Sequence, residues 1–223
     1  MSKPFLSIAV PTHQFDGNQY YLKRLFNSLW NQSFQDFEIV VTDNSDNDDI
    51  QEVCDWYRTG IRYIRNPRKG MAQNTNEAIK QSKGKLIKIL YIDDFLAHNK
   101  AIQEIVENFK GEWMVSACRH TKDENKYFNT HFPTYSENIH TGNNTIGSPS
   151  VLTIKNQDPL LFDEKMTWLL DCDLYKRYYD LYGEPTILRD VNVIIGLHDD
   201  QLTNTLSDDT KAQEYEYINL KYA

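Results

Sequence analysis

Apolar residues along the chain fall into two alternating rhythms. Phe5–Val10 is a short apolar run closed by Pro11, the pattern of a buried strand. Leu22, Leu25, Phe26, Leu29 and Trp30 then recur at spacings of three and four, one face of a helix. The alternation continues. Phe37–Val41 and Ile61–Ile64 predict the second and third strands. Between them Ile50, Val53, Cys54 and Tyr57 form a helical stripe, with Asp48 and Asp49 at its N-terminal end. Gly70–Ser82 predicts a helix stopped at Gly84. Leu86–Ile92 predicts a fourth strand, running to Asp93-Asp94. Ile102, Ile105, Val106 and Phe109 mark a further helix, and Trp113–Cys118 a further strand.

Residues 119–149 break the rhythm. They are polar, rich in Asn, Thr, His and Tyr, and predict long loops or a small hairpin. Val151–Ile154 and Ile187–Leu197 read as strands. Leu174, Tyr178, Leu181 and Tyr182 line a helix stopped by Gly183, and the tail from Ser207 predicts a last polar helix. No repeat or low-complexity linker divides the chain. Alternating strands and helices predict one α/β domain over 1–223, with a mostly parallel central sheet flanked by helices and a Rossmann-like N-terminal half.

Composition narrows the class. Of 223 residues 40% are apolar, and 14 Tyr, 10 Phe and 4 Trp can fill a core, which excludes a disordered or collagen-like chain. No apolar run reaches the roughly 18 to 20 residues of a bilayer span, and the six residues Phe5–Val10 before Pro11 are too few for a signal-peptide apolar region. Three cysteines without paired spacing fit reduced thiols in a cytoplasmic setting. The net charge is −8, and residues 113–223 carry −7 of it. Yet residues 58–88 hold nine basic side chains, Arg58 to Lys88, against one acid, Glu77. An acidic protein with one local basic segment does not fit a nucleic-acid partner. The segment suits either a solvated face or a small, multiply charged anion.

Ligands of parallel α/β sheets bind beyond the carboxyl ends of the strands. Pro11, Thr12 and His13 follow the first strand, Asp43, Asn44 and Ser45 the second, Asn66, Arg68 and Lys69 the third, and Asp93 and Asp94 the fourth. This set joins a ring, hydrogen-bonding groups, cations and an acidic pair, which suits a nucleotide with a divalent ion. Adjacent carboxylates repel unless solvated or bridged, and Mg²⁺ or Mn²⁺ is commonly held by one or two carboxylates plus substrate phosphates. No Gly-x-Gly-x-x-Gly, Gly-Lys-Ser/Thr, His-Glu-x-x-His or zinc-type cysteine spacing is present.

In their order along the chain, Leu6–Thr12, Leu25–Ser45, Asn66–Gly70 and Asp93-Asp94 resemble glycosyltransferase family 2, of the GT-A fold. The resemblance is carried by Leu6-Ser-Ile-Ala-Val-Pro-Thr12, by Leu25 through Ser45, and by Asn66-Pro-Arg-Lys-Gly70. It continues through Asn74, Asn76-Glu-Ala78, Gly84-Lys-Leu-Ile87 and Asp93-Asp94. Ile146-Gly-Ser-Pro-Ser150, Phe162-Asp163, Trp168-Leu-Leu-Asp171, Gly183 and His198 complete it, over roughly residues 5–200. The resemblance implies an inverting enzyme that moves a sugar from a UDP, GDP or dTDP sugar to a glycan or lipid-linked saccharide. No transmembrane segment is implied, and peripheral membrane contact is compatible with it.

The resemblance assigns residues 1–112 to donor binding and 113–223 to the acceptor. Pro11, Thr12, His13 and Asp43 would meet base and ribose, while Asn66, Arg68 and Asn74 would contribute nucleotide or phosphate contacts. Asp93 would approach ribose or metal. Asp94 and His198 would hold Mn²⁺ or Mg²⁺, and Asp171 would be the general base. Tyr91 stands where the family often has an acid, and Leu170 where a Glu usually precedes the base, so Asp173 is a second candidate. A nucleotidyltransferase would need a Gly-rich loop that Pro11–Asn18 lacks. A non-catalytic nucleotide-sugar or glycan-binding relative is the remaining alternative.

Overall fold

The computed structural model describes residues 3–57 and 60–223. Arg58 of the basic segment lies outside them. The N-terminal half follows the expected order: β1 (Leu6–Thr12), α1 (Asn18–Trp30), β2 (Phe37–Asp43), α2 (Asp49–Tyr57), β3 (Ile61–Arg65), α3 (Met71–Gln81) and β4 (Leu86–Ile89). β2, β1 and β4 run parallel side by side, with β3 outside β2. Every residue of β1 is buried. A parallel strand covered on both faces has no polar side, which explains the unbroken apolar run.

Two predicted boundaries are corrected. α3 ends at Gln81 with Ser82 as its C-cap, not at Gly84. Gly84 instead lets two backbones meet: a Cβ there would lie 2.5 Å from the Ser7 amide nitrogen. β4 stops at Ile89 rather than Ile92, because the Tyr91 amide donates to Ser150 Oγ at 2.9 Å instead of to a strand. The chain then turns, with the Asp94 amide donating to Tyr91 O at 3.0 Å, into the two-residue β5 (Phe95–Leu96).

The C-terminal half departs from an all-parallel sheet. It comprises α4 (Ala101–Asn108), β6 (Trp113–Thr121), β7 (Tyr127–His131), β8 (Leu152–Lys155), α5 (Leu170–Tyr182), β9 (Thr186–Gly196), α6 (Leu202–Thr205) and α7 (Asp208–Lys221). The sheet order is β3-β2-β1-β4-β8-β6-β9-β5, with β7 paired on β6. β8 is antiparallel to both β4 and β6, whereas β6 and β9 are parallel. β6 and β7 form the small hairpin expected in 119–149. One main apolar cluster runs from Leu6 to Ile218 and includes Tyr175 and Trp113. All three cysteines are free and buried. No helix of the described residues is long and apolar enough to cross a membrane.

Candidate active site

The carboxyl ends of β1, β2 and β3 are tied together by buried amides. Asn74 Nδ2 donates to Thr12 O at 2.8 Å and Thr42 O at 2.9 Å. Asn66 Nδ2 donates to Asn74 Oδ1 at 3.2 Å, and Asn44 Nδ2 to Asn66 O at 2.9 Å and Arg68 O at 3.0 Å. Above this floor opens a cleft of about 1180 Å³. Its walls include Pro11, Thr12, His13, Asn44, Ser45 and Asn74. Gly17-Asn18 and Gly70-Met71, which open α1 and α3, also line it, as do Lys23 and Lys69. Two helix N-termini and two lysines face this cleft together with three carboxylates, Asp16, Asp46 and Asp49, so what favours an anion here is local, at the helix N-termini and Lys23, and not the charge of the cleft as a whole.

A second cleft of about 310 Å³ continues from the first, sharing Pro11, His13, Phe15, Met71, Thr167 and Leu202. Here Tyr91, Asp93, Asp94, Asp171 and His198 come together. Asp94 is 2% exposed and accepts from the Gly196 amide at 3.0 Å. Burial, then the neighbouring Asp93 charge, holds its carboxyl well above the usual carboxylate range. Asp93 Oδ2 meets His198 Nε2 at 3.3 Å and accepts from Gln201 Nε2 at 3.2 Å. Gly196 brings β9 against this turn, since a Cβ there would overlap the Asp93 carbonyl. Arg24 of α1 donates to the same carbonyl.

Among the described residues no three His, Cys, Asp or Glu side chains form a preformed metal cage. The donor set still fits a hard cation that takes its other ligands from a substrate. Asp93 and Asp94 line the same cleft as His198, which meets Asp93 through Nε2 while its Nδ1 is buried with no hydrogen-bond partner. Oxygen donors of this kind suit Mg²⁺ or Mn²⁺.

Asp171 sits in the first turn of α5, partly open to the smaller cleft. Asn144 Nδ2 donates to its Oδ2 at 2.8 Å and the Cys172 amide to its Oδ1 at 2.7 Å. Surrounding protein pushes the carboxyl up to about 6, against those two bonds. Asp173 faces elsewhere. It is wholly buried, paired with Arg177 Nε at 2.8 Å and Lys221 Nζ at 2.7 Å, and accepts from Tyr222 OH at 2.7 Å. Of the two candidates only Asp171 reaches the cleft.

Three expected ligand residues line neither cleft. Asp43 is buried beneath the floor. Its Oδ1 accepts from the Ser45 amide at 2.8 Å and Thr12 Oγ1 at 3.4 Å, and its Oδ2 from Tyr63 OH at 2.7 Å, with Arg65 Nε at 3.5 Å. Those partners occupy the carboxylate, so Asp43 shapes the Asn44-Ser45 loop. Asn66 belongs to the amide network. Arg68 is half exposed and paired with Glu164. Its neighbour Lys69 lines the cleft instead, paired with Asp46 at 2.6 Å.

Sequence reasoning passed over Phe15, Asn144, Thr167, Gln201 and Leu202. Phe15 stacks on His198, ring centroids 5.0 Å apart and 7° from parallel. Phe15, Asn144, Thr167 and Gln201 lie in loops, and Leu202 opens the four-residue α6, where no periodicity sets them apart.

Residues 7–175 match the family model described as Glycosyl transferase family 2. The GalNAc(5)-diNAcBac-PP-undecaprenol beta-1,3-glucosyltransferase of Campylobacter jejuni is 33% identical over 98 residues, 42% of this chain and 31% of that protein. This chain matches about a third of the length of such curated relatives. Among solved structures, S. aureus TarS 1–349 in complex with UDP-GlcNAc superposes with a TM-score of 0.71 at 19% identity, covering 97% of this chain and 66% of that one. The mannosyltransferase PcManGT from Pyrobaculum calidifontis, in complex with GDP-Man and Mn²⁺, gives 0.62 at 15% identity, covering 89% and 59%. At these identities the likeness establishes the fold.

Proposed function

The chain belongs to glycosyl transferase family 2, and from that premise we propose that it transfers a sugar from a nucleotide-diphosphate sugar to a hydroxyl acceptor with inversion. One observation carries this reading. Asp171, Asp93, Asp94 and His198 line one small cleft that opens into the large one, where two helix N-termini and Lys23 stand. The nucleotide occupies the larger cleft over Pro11, Thr12 and His13. Its diphosphate faces the N-termini of α1 and α3 with Lys23 and Lys69 nearby. Asp94, Asp93 and His198 would hold Mn²⁺ or Mg²⁺, which supplies charge neutralisation to the departing diphosphate.

The sugar then stands between the acidic pair and Asp171. An acceptor hydroxyl is a poor nucleophile until its proton is taken. Asp171, pushed up to about 6, is ionised near neutral pH yet basic enough to accept that proton. Attack opposite the leaving group inverts the anomeric centre in one step. The fold-level neighbours bind UDP-GlcNAc and GDP-Man, which supports a UDP or GDP sugar, and dTDP sugars belong to the same class. The name of the Campylobacter relative supports a lipid-linked saccharide as acceptor, with a glycan as the wider class. Free, buried cysteines support a cytoplasmic setting for this chemistry.

The test is release of nucleoside diphosphate from UDP, GDP and dTDP sugars with Mn²⁺ and saccharide acceptors. One donor is expected to be consumed. Asp171→Asn is expected to lose at least about a hundredfold in kcat while still binding donor. Asp94→Ala is expected to lose turnover as well. Donor binding without turnover on any acceptor would identify a binding protein instead.

A further inference from the structure

The last helix reaches the site from outside the family match, which ends at residue 175. Two residues of α7 turn inward one helical turn apart: Glu214 is 6% exposed and Ile218 wholly buried. Ile218 joins the core. Glu214 does something an apolar residue could not. Its Oε1 accepts from the Thr167 amide at 2.7 Å, and its Oε2 from the Trp168 and Leu169 amides, both at 2.9 Å. These amides immediately precede α5, whose first turn carries Asp171 and whose N-cap, Leu169, has no side-chain cap of its own. The leading N–H groups of a helix lack intrahelical partners, and a carboxylate there is favoured by both hydrogen bonding and the helix dipole. Thr167 and Trp168 themselves line the smaller cleft, whereas Glu214 lines neither.

We propose that Glu214 is a positioning residue. By holding the Thr167–Leu169 backbone it fixes where Trp168 and Asp171 stand in the cleft. α7 has a second, independent anchor at its far end, where Lys221 pairs with Asp163 and Asp173, both at 2.7 Å. Loss of the Glu214 carboxylate is therefore separable from loss of the helix. A misplacement of about 1 Å can cost about a hundredfold in rate.

The inference rests on the transferase reading above, so turnover and amide hydrogen exchange are measured together on full-length Glu214→Ala, Glu214→Gln and Lys221→Met. Exchange protection at 167–171 is expected to fall in Glu214→Ala. Its kcat is expected to fall about tenfold to a hundredfold, with donor KM within about twofold. Glu214→Gln keeps one acceptor oxygen and is expected to lose less. In an Asp171→Asn background Glu214→Ala is expected to add less than about threefold, because both changes act on one proton transfer. Unchanged protection overturns the proposal. So does lost protection with kcat retained, or a fall in kcat that Lys221→Met reproduces at equal loss of thermal stability. If the wild-type protein consumes no nucleotide-sugar, the transferase reading fails by itself, and the exchange data alone decide whether Glu214 holds this segment.

Discussion

At Asp171 two effects oppose each other. Burial disfavours the anion, while the Cys172 amide and Asn144 Nδ2 favour it. Burial wins, carrying the carboxyl from its ordinary 3.8 to about 6. A base must be deprotonated to work, so kcat/KM is expected to rise with pH through about 6 and level off above it. Asp171→Asn is expected to remove that limb, and an unchanged limb in the variant would assign it to another group. Stability moves the opposite way. The folded carboxyl binds its proton more tightly than an unfolded aspartate. Its stabilising contribution is therefore fully present below 3.8 and lost as pH rises through about 6. A melting-temperature profile against pH is expected to flatten in that window for Asp171→Asn.

Between elements, the amide network does what the apolar layers cannot, because it fixes the ends of three strands where a ligand must sit. Asn74 bridges β1 and β2 from α3 by donating to both Thr12 O and Thr42 O. Removing its side chain strands two buried carbonyls, each costing about 1–3 kcal/mol. Asn74→Ala is expected to lower unfolding free energy by about 2–4 kcal/mol in urea titration. A loss below about 0.5 kcal/mol would show that water replaces the amide.

The same network shows what the sequence could reveal. The order β1 through β4 was legible because burial on both sheet faces writes apolar runs that periodicity detects. The antiparallel β8 and the short β5 were not, since strand direction depends on distant pairing. Among the strand-end polar residues, His13 and Asp94 face the clefts, while Asp43 and Asn66 face the floor. Both surroundings select hydrogen-bonding side chains, so composition alone does not separate them. Asp171 and His198 line one cleft although the first stands on α5 and the second follows β9, a meeting that no local pattern writes. Glu214 lies in a helix whose polar pattern marks no buried face.

For the whole molecule, the net charge of −8 opposes an anionic donor. Long-range attraction therefore cannot drive binding, and the local groups must. The large cleft supplies two helix N-termini with Lys23 and Lys69, but Asp16, Asp46 and Asp49 line it too, and the small cleft adds further carboxylates that repel a diphosphate until a cation intervenes. On the proposed reading, nucleotide and divalent binding depend on each other. A nucleoside diphosphate alone is expected to raise the melting temperature slightly, and Mn²⁺ alone hardly at all. Together they are expected to exceed the sum of the two shifts, since a ligand at 100 times its Kd stabilises by about 2.7 kcal/mol. Asp93→Asn and Asp94→Asn are expected to abolish that excess but keep the nucleotide's own shift. If the shifts instead add in the wild-type protein, or the excess survives both substitutions, the cation does not sit between the acidic pair and the diphosphate. The two linked clefts would then bind their ligands independently.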